Sequence, residues 1–216
     1  MTEAVLAWAA LDDPWRACLS LAWEAYGAGT IPVGAVLVDG GGSIVSEGRN
    51  RVYDTTAPAG QVANSMLAHA EVNALVGLDT SGNYYEHVLY TTLEPCLLCV
   101  GASLRSTIGS VRYAGADPFG GADDGPVHRE SKHGVRPLEL HGPRQDELGV
   151  LAAALPLAFY LRRGSGEHVL RASKLRAPGA LSAAAALVDS GISDGIDAVR
   201  NLPEALPEIW DLLRVA

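Results

Sequence analysis

Two short motifs constrain the fold of this chain more than any other feature. The first, His69-Ala70-Glu71, places an imidazole two residues before a carboxylate, and the second, Pro95-Cys96-Leu97-Leu98-Cys99, carries two thiols. An imidazole and two thiolates are good zinc ligands, and a site with three protein ligands leaves a fourth position for water, as catalytic zinc sites do. The spare Glu71 carboxylate is the natural proton carrier for that water. The chain must therefore fold so that the two motifs meet.

The spacing within each motif indicates where in a helix it lies. Residues two apart on a regular α-helix point about 200° away from each other, because one turn takes about 3.6 residues. The histidine and the carboxylate can therefore face one metal only at the start of their helix, which Asn64 or Ser65 is predicted to cap and which ends near Leu78. The cysteines share a face at the start of a predicted helix over Cys96–Leu104, where the helix dipole favours thiolates.

Strands alternating with helices predict an α/β layer structure. The predicted strands cover residues 32–38, 43–47, 87–92, 110–114 and 135–140, and further helices cover 13–27, 146–162 and 202–213. The first strand is almost continuously apolar, which is typical of burial on both faces, and the turn Asp39–Gly42 predicts a hairpin. After a Gly164–Gly166 linker the composition becomes rich in alanine. We therefore predict two domains, residues 1–163 and a helical C-terminal extension over 164–216.

Charge and cysteine content bear on partners and location. Residues 1–125 contain 14 acidic residues and 5 arginines, so the whole net charge of −9 lies there. Nucleic acids are bound mainly through cations, so this balance disfavours a nucleic-acid partner and favours a small molecule. The chain is 48% hydrophobic, as globular proteins are, but no apolar run is long enough to span a membrane. The chain has three cysteines, two of them in the C-x-x-C pair, which fits a reducing compartment better than disulfide formation. No basic segment precedes Val5, so we expect no secretory signal and predict a cytoplasmic protein.

Four blocks of sequence together resemble the cytidine/deoxycytidylate deaminase superfamily, and within it the guanine deaminase and tRNA-specific adenosine deaminase branch. These blocks are Ile31–Val38, Glu47–Asn50, His69–Glu71 and Leu89–Cys99. The likeness covers roughly residues 14–163. It implies a three-layer α/β/α fold around a central five-stranded mixed sheet, and commonly a homodimer.

The resemblance also assigns roles to individual residues. It gives one Zn²⁺ per subunit, with a bound water or hydroxide, to His69, Cys96 and Cys99, and it makes Glu71 the catalytic proton carrier. The substrate-binding candidates are Asn50, Ala70 through its backbone, Asp117 in the loop after the fourth strand, and Phe119 as a stacking partner for a base. A role in forming the turn accounts for Asp117 nearly as well as substrate binding does. Packing against neighbouring residues accounts for Phe119 as well as stacking on a base does.

These residues predict a zinc-dependent hydrolytic deaminase of a free nucleobase, nucleoside or related heterocyclic amine. In that chemistry a zinc-bound hydroxide adds to the ring carbon and ammonia leaves. Adenosine-to-inosine editing of tRNA is the alternative activity, although Asp117-Pro118-Phe119 lacks the basic residue usual in that branch. A zinc-stabilised scaffold without turnover is the alternative of another class. The intact Glu71 argues against it, because a scaffold has no use for an unliganded carboxylate beside the metal.

Overall fold

The computed structural model describes residues 1–122, 138–192 and 201–214. The strands are β1 (Gly34–Val38), β2 (Ile44–Arg49), β3 (Val88–Leu93), β4 (Ser110–Gly115) and β5 (Glu139–His141). The helices are α1 (Glu3–Ala10), α2 (Asp13–Gly27), α3 (Ala70–Leu75), α4 (Leu97–Arg105), α5 (Glu147–Arg163), α6 (Glu167–Arg176), α7 (Pro178–Asp189) and α8 (Leu202–Leu213). The predicted strand start at residue 135 lies outside the described residues.

The strands form one mixed sheet in the order β2-β1-β3-β4-β5. The hairpin partners β1 and β2 are antiparallel, β1 is antiparallel to β3, and β3, β4 and β5 are parallel. The carboxyl ends of β2, β3 and β4 therefore lie at one edge of the sheet. In sheets of this kind ligands bind beyond the carboxyl ends of the parallel strands, so this edge is where a site is expected.

Strand β1 shows why helices cover both faces of the sheet. All five of its residues are buried, and they alternate between two apolar clusters. Val36 and Val38 pack into the cluster that contains α2 and α5, whereas Ala35 and Leu37 pack into the cluster that contains α3 and α4. The result is the predicted three-layer α/β/α arrangement around a five-stranded sheet.

Helix α3 is shorter than the sequence pattern predicts, because it begins at Ala70 and not near residue 65. Hydrogen bonds to the Asn73 side chain of α3 and to the loop after β2 hold the preceding segment in another conformation. The Asn73 side chain bonds both the amide and the carbonyl of Val62, at 2.8 and 3.1 Å. The amide of Arg51 donates to the carbonyl of Ala68 at 2.9 Å. Residues 62–68 therefore run alongside the helix and do not extend it.

One glycine lets α3 lie directly on β2. A Cβ atom at Gly48 would stand 2.4 Å from the carbonyl oxygen of Ala70 and 2.5 Å from the amide nitrogen of Ala74. Both contacts are far inside van der Waals distance and both partners are backbone atoms. Only glycine allows this approach, which brings the start of α3 to the sheet edge.

The C-terminal helices pack against the rest of the chain in one continuous apolar cluster. Leu187 of α7 and Ile209 of α8 share it with Leu155 of α5 and Leu19 of α2. The boundary between residues 163 and 164 stays a prediction. None of the helices in the described segments combines the length and apolarity needed to cross a membrane.

Candidate active site

The three predicted metal ligands meet between the starts of α3 and α4. His69 precedes α3 with an extended backbone, Cys96 precedes α4, and Cys99 lies in the first turn of α4. The Nδ1 atom of His69 lies 3.7 Å from Sγ of Cys96 and 3.4 Å from Sγ of Cys99, and the sulfurs are 3.6 Å apart. Ligands around tetrahedral zinc, with Zn–S of about 2.3 Å and Zn–N of about 2.0 Å, are separated by roughly 3.5–3.8 Å. The three residues therefore fit a zinc ion.

The thiols differ in how easily they lose a proton. The hydrogen bond between the two thiols lowers the pKa of Cys96 to about 4, and the nearby His69 also favours its thiolate. The same bond, together with burial, raises the pKa of Cys99 well above its ordinary value. The lowered pKa of Cys96 favours its thiolate at neutral pH, which is the form that binds zinc.

Glu71 lies in the first turn of α3, beside the three ligands, and its side chain is almost fully buried at 4% exposure. Its Oε1 atom accepts a hydrogen bond from the Thr91 hydroxyl of β3 at 3.1 Å. Burial raises the pKa of the Glu71 carboxyl, and the neighbouring His69 partly opposes this. A carboxyl group with a raised pKa exchanges protons more readily near neutral pH.

Asn50 follows β2 at the same sheet edge and is 3% exposed. Its Oδ1 atom accepts two hydrogen bonds of 3.0 Å, one from the Thr30 hydroxyl and one from the Val52 amide. Because a backbone amide can only donate, these bonds fix which end of the side chain is oxygen. The Nδ2 donor is thereby left for the cavity that Asn50 lines.

A cavity of about 260 Å³ extends from the metal ligands. Its polar wall groups include Asn50, Glu71, Glu94 and Asp117, whereas most of the other lining residues that the structure describes are apolar. Known small-molecule pockets span roughly 300–1,000 Å³. This cavity is slightly smaller than that range, so it suits a ligand of about the size of one ring system.

The other predicted substrate-binding residues have different surroundings. Asp117 lines the cavity, but its Oδ1 atom accepts hydrogen bonds from the amides of Phe119 and Gly120, which is the turn role foreseen as the alternative. Phe119 is 52% exposed at the cavity wall, with its ring 4.8 Å from that of His168. Ala70 is fully buried at the start of α3. Substrate contact by these residues stays a prediction.

Sequence patterns missed several cavity residues. Glu94 stands directly before the second motif, and that position could have singled it out. In the structure its carboxylate accepts a hydrogen bond from the Asp117 amide at 3.0 Å. Tyr160 of α5 also lines the cavity. So do Val169, Ala177 and Ala180 of the C-terminal extension. These last three belong to no motif, and only the packing of α6 and α7 brings them to the site.

Comparison with known proteins agrees with this geometry. The model of the cytidine and deoxycytidylate deaminase zinc-binding region matches residues 12–115, which include the three metal ligands. Guanine deaminase of Bacillus subtilis is 34% identical over 122 residues, covering 53% of this chain and 72% of that protein. The chain belongs to the cytidine and deoxycytidylate deaminase family. The predicted family is thus confirmed.

Other relatives of this deaminase-family chain are longer than the region they share with it. The tRNA-specific adenosine deaminase of Haemophilus influenzae is 41% identical over 110 residues, covering 50% of this chain and 59% of that protein. The tRNA(Ile)-lysidine synthase of Deinococcus radiodurans is 38% identical over 144 residues, covering 62% of this chain but 23% of that protein. The chain therefore spans less than two thirds of each of these proteins.

Family membership and geometry agree on the metal that this site would hold. The matched region of this cytidine and deoxycytidylate deaminase family member is a zinc-binding region. Among the residues that the structure describes, His69, Cys96 and Cys99 are the group that could hold the ion. The family is one of hydrolytic deaminases, and the predicted zinc cofactor is supported on both grounds.

Proposed function

We propose that the protein is a zinc-dependent hydrolase that deaminates a small heterocycle, namely a free nucleobase, a nucleoside or a related amino-substituted ring. The observation that carries this proposal is the cavity of about 260 Å³ beside the metal ligands, with Glu71 and Asn50 in its wall. It offers a ring-sized space, a buried proton carrier and a fixed hydrogen-bond donor. Water is consumed, the ring amino group becomes a carbonyl, and ammonia is released.

His69, Cys96 and Cys99 would hold the zinc. Zinc in such a site lowers the pKa of a bound water to about 7 and so makes a nucleophile available at neutral pH. Glu71 accepts the proton of that water and passes it to a ring nitrogen. Glu71 then takes up the proton of the hydroxyl group added to the ring carbon and donates it to the amino group, which leaves as ammonia while the ring carbonyl forms. The Thr91 hydroxyl holds the carboxylate in place during both transfers.

Asn50 positions the ring through its Nδ2 donor, and Asn50→Asp tests this directly. Aspartate can still accept the bonds from Thr30 and Val52, but it replaces the donor with an acceptor. We expect kcat/KM to fall by roughly 10- to 100-fold, since leaving a buried polar group unpaired costs about 1–3 kcal/mol. Asn83→Asp is the matched control, because exposed Asn83 likewise accepts a bond from an amide two residues on. Equal kcat/KM for both variants would contradict the role.

Ammonia release tests the function as a whole. Zinc-loaded protein is incubated with guanine, adenine, cytosine, their nucleosides and amino-triazines, and ammonia is measured against a Glu71→Gln sample. We expect Glu71-dependent release from at least one of these rings. Release from none of them, together with inosine formation in tRNA, would replace this function by the second candidate.

That second candidate is adenosine-to-inosine editing of tRNA. Arg171, Lys174 and Arg176 are exposed on α6, and Arg176 donates to the Pro118 carbonyl beside the cavity. Several relatives carry names of tRNA-specific adenosine deaminases. The prediction that nucleic acid is disfavoured is therefore not supported. Binding of tRNA that weakens steeply with salt would favour this candidate, because cations that neutralise phosphates release counterions.

A homodimer stays a proposal. Met66 and Leu67 lie just before His69, and Leu97 and Leu98 lie just after Cys96; all four are exposed. They are the apolar surface beside the metal ligands that a second copy would cover. The inactive scaffold is disfavoured, because an almost fully buried carboxylate that ligates no metal serves no structural purpose there.

A further inference from the structure

The C-terminal extension supplies one wall of the cavity that begins at the metal ligands. Val169 of α6, Ala177 between the helices and Ala180 of α7 line it, and we call these three residues the α6–α7 wall. They lie beyond residues 12–115, the region that the family model matches. This wall therefore lies outside the zinc-binding region that the chain shares with the family.

Packing on one side holds the wall in a fixed position. Ala183, Ala184 and Leu187, on α7, are buried in the same apolar cluster as Leu155 of α5. The cluster leaves no space for α7 to retreat, because protein interiors are close-packed. Ala180 lies on the same face of α7 as Ala184 and Leu187 and packs against the same cluster, so this packing fixes its position.

Contacts between α6 and the loop after β4 also hold the α6–α7 wall in place. Arg176 donates from Nη1 to the Pro118 carbonyl at 3.2 Å. The ring of His168 lies 4.8 Å from the ring of Phe119. Both loop residues also line the cavity. The wall and this loop therefore face the same ligand space as one connected surface.

We propose that the α6–α7 wall sets the size of the ring system that the enzyme accepts. Two of its three side chains are alanines, so each lost or added methyl group at this wall changes a cavity of only about 260 Å³. The wall is apolar and holds no group for proton transfer. The wall therefore affects which substrate fits into the cavity, and it does not affect proton transfer by Glu71.

Because this inference rests on the proposed function, base and nucleoside pairs serve as probes: guanine and guanosine, adenine and adenosine, cytosine and cytidine. Ala180→Leu is expected to raise KM by roughly tenfold or more, because the larger side chain overfills the cavity at this wall, and kcat is retained. Val169→Ala is expected to raise kcat/KM for the nucleoside relative to its base. Ala185→Leu is the matched control, on the exposed side of α7.

The results distinguish a failure of the size role of the wall from a failure of the proposed function. If the wild type deaminates a probe but Ala180→Leu and Val169→Ala behave like Ala185→Leu, the size role of the wall is wrong and the function stands. If zinc-loaded wild type neither deaminates any probe nor binds one by calorimetry, the function and the wall fail together. Should Ala180→Leu not fold, Val169→Ala decides alone, with its zinc content and circular dichroism matching the wild type.

Discussion

Glu71→Gln is expected to keep zinc and to lose turnover by roughly 10²- to 10⁴-fold, the usual share of general acid–base catalysis. Glutamine has nearly the same shape, and its oxygen can still accept the hydrogen bond from Thr91. It cannot take a proton from water at neutral pH. The loss should therefore appear in kcat, with the substrate still bound.

Three measurements check this expectation: steady-state ammonia release, zinc per chain by elemental analysis, and the KM of the substrate found in the screen. Glu86→Gln serves as control, because the same substitution falls on an exposed residue. Turnover within about tenfold of the wild type would show that Glu71 does not carry the protons. Loss of zinc together with turnover would instead assign Glu71 a role in holding the site together.

Cys99→Ser is expected to abolish zinc binding, because a serine hydroxyl stays protonated at neutral pH and zinc binds thiolates. The variant should also unfold at a lower temperature. A ligand that binds only the folded state stabilises it by about 4 kcal/mol at a thousandfold excess over its Kd. Chelation of zinc from the wild type should lower its Tm in the same way.

The third cysteine provides the matched control. Cys18 is fully buried in α2, and its Sγ lies 3.4 Å from the carbonyl oxygen of Tyr90. A serine hydroxyl there can still donate to that oxygen, so Cys18→Ser should keep zinc whatever it does to stability. Full zinc content in Cys99→Ser would mean that another residue completes the metal site.

Local spacing explains why the metal site could be predicted from the sequence. His69 and Glu71 can face one point only at the mouth of a helix, and the structure places His69 immediately before α3. The almost continuous apolar run over residues 32–38 likewise predicted a strand covered on both faces, and all five residues of β1 are buried. Such features depend on neighbours a few residues apart, which a sequence pattern contains.

Contacts between distant segments explain what could not be predicted. The start of α3 depends on Asn73, whose side chain bonds the backbone of Val62 and of Arg49. The cavity wall depends on α7 packing against α5, and small apolar residues such as Ala180 carry no motif. Asp117 matched an acidic position of the family, yet its hydrogen bonds to neighbouring amides show how much of its side chain is taken up locally.

The continuous apolar cluster has a consequence for folding during synthesis. Leu19 of α2 and Ile209 of α8 belong to the same cluster, and Glu3 pairs with Arg214 at 2.8 Å. During synthesis α1 and α2 leave the ribosome before α8. Part of the apolar face of α2 therefore stays uncovered until Leu213 has left the exit tunnel. The sheet and the two metal-binding helix mouths are complete in the nascent chain earlier than the face that α8 covers.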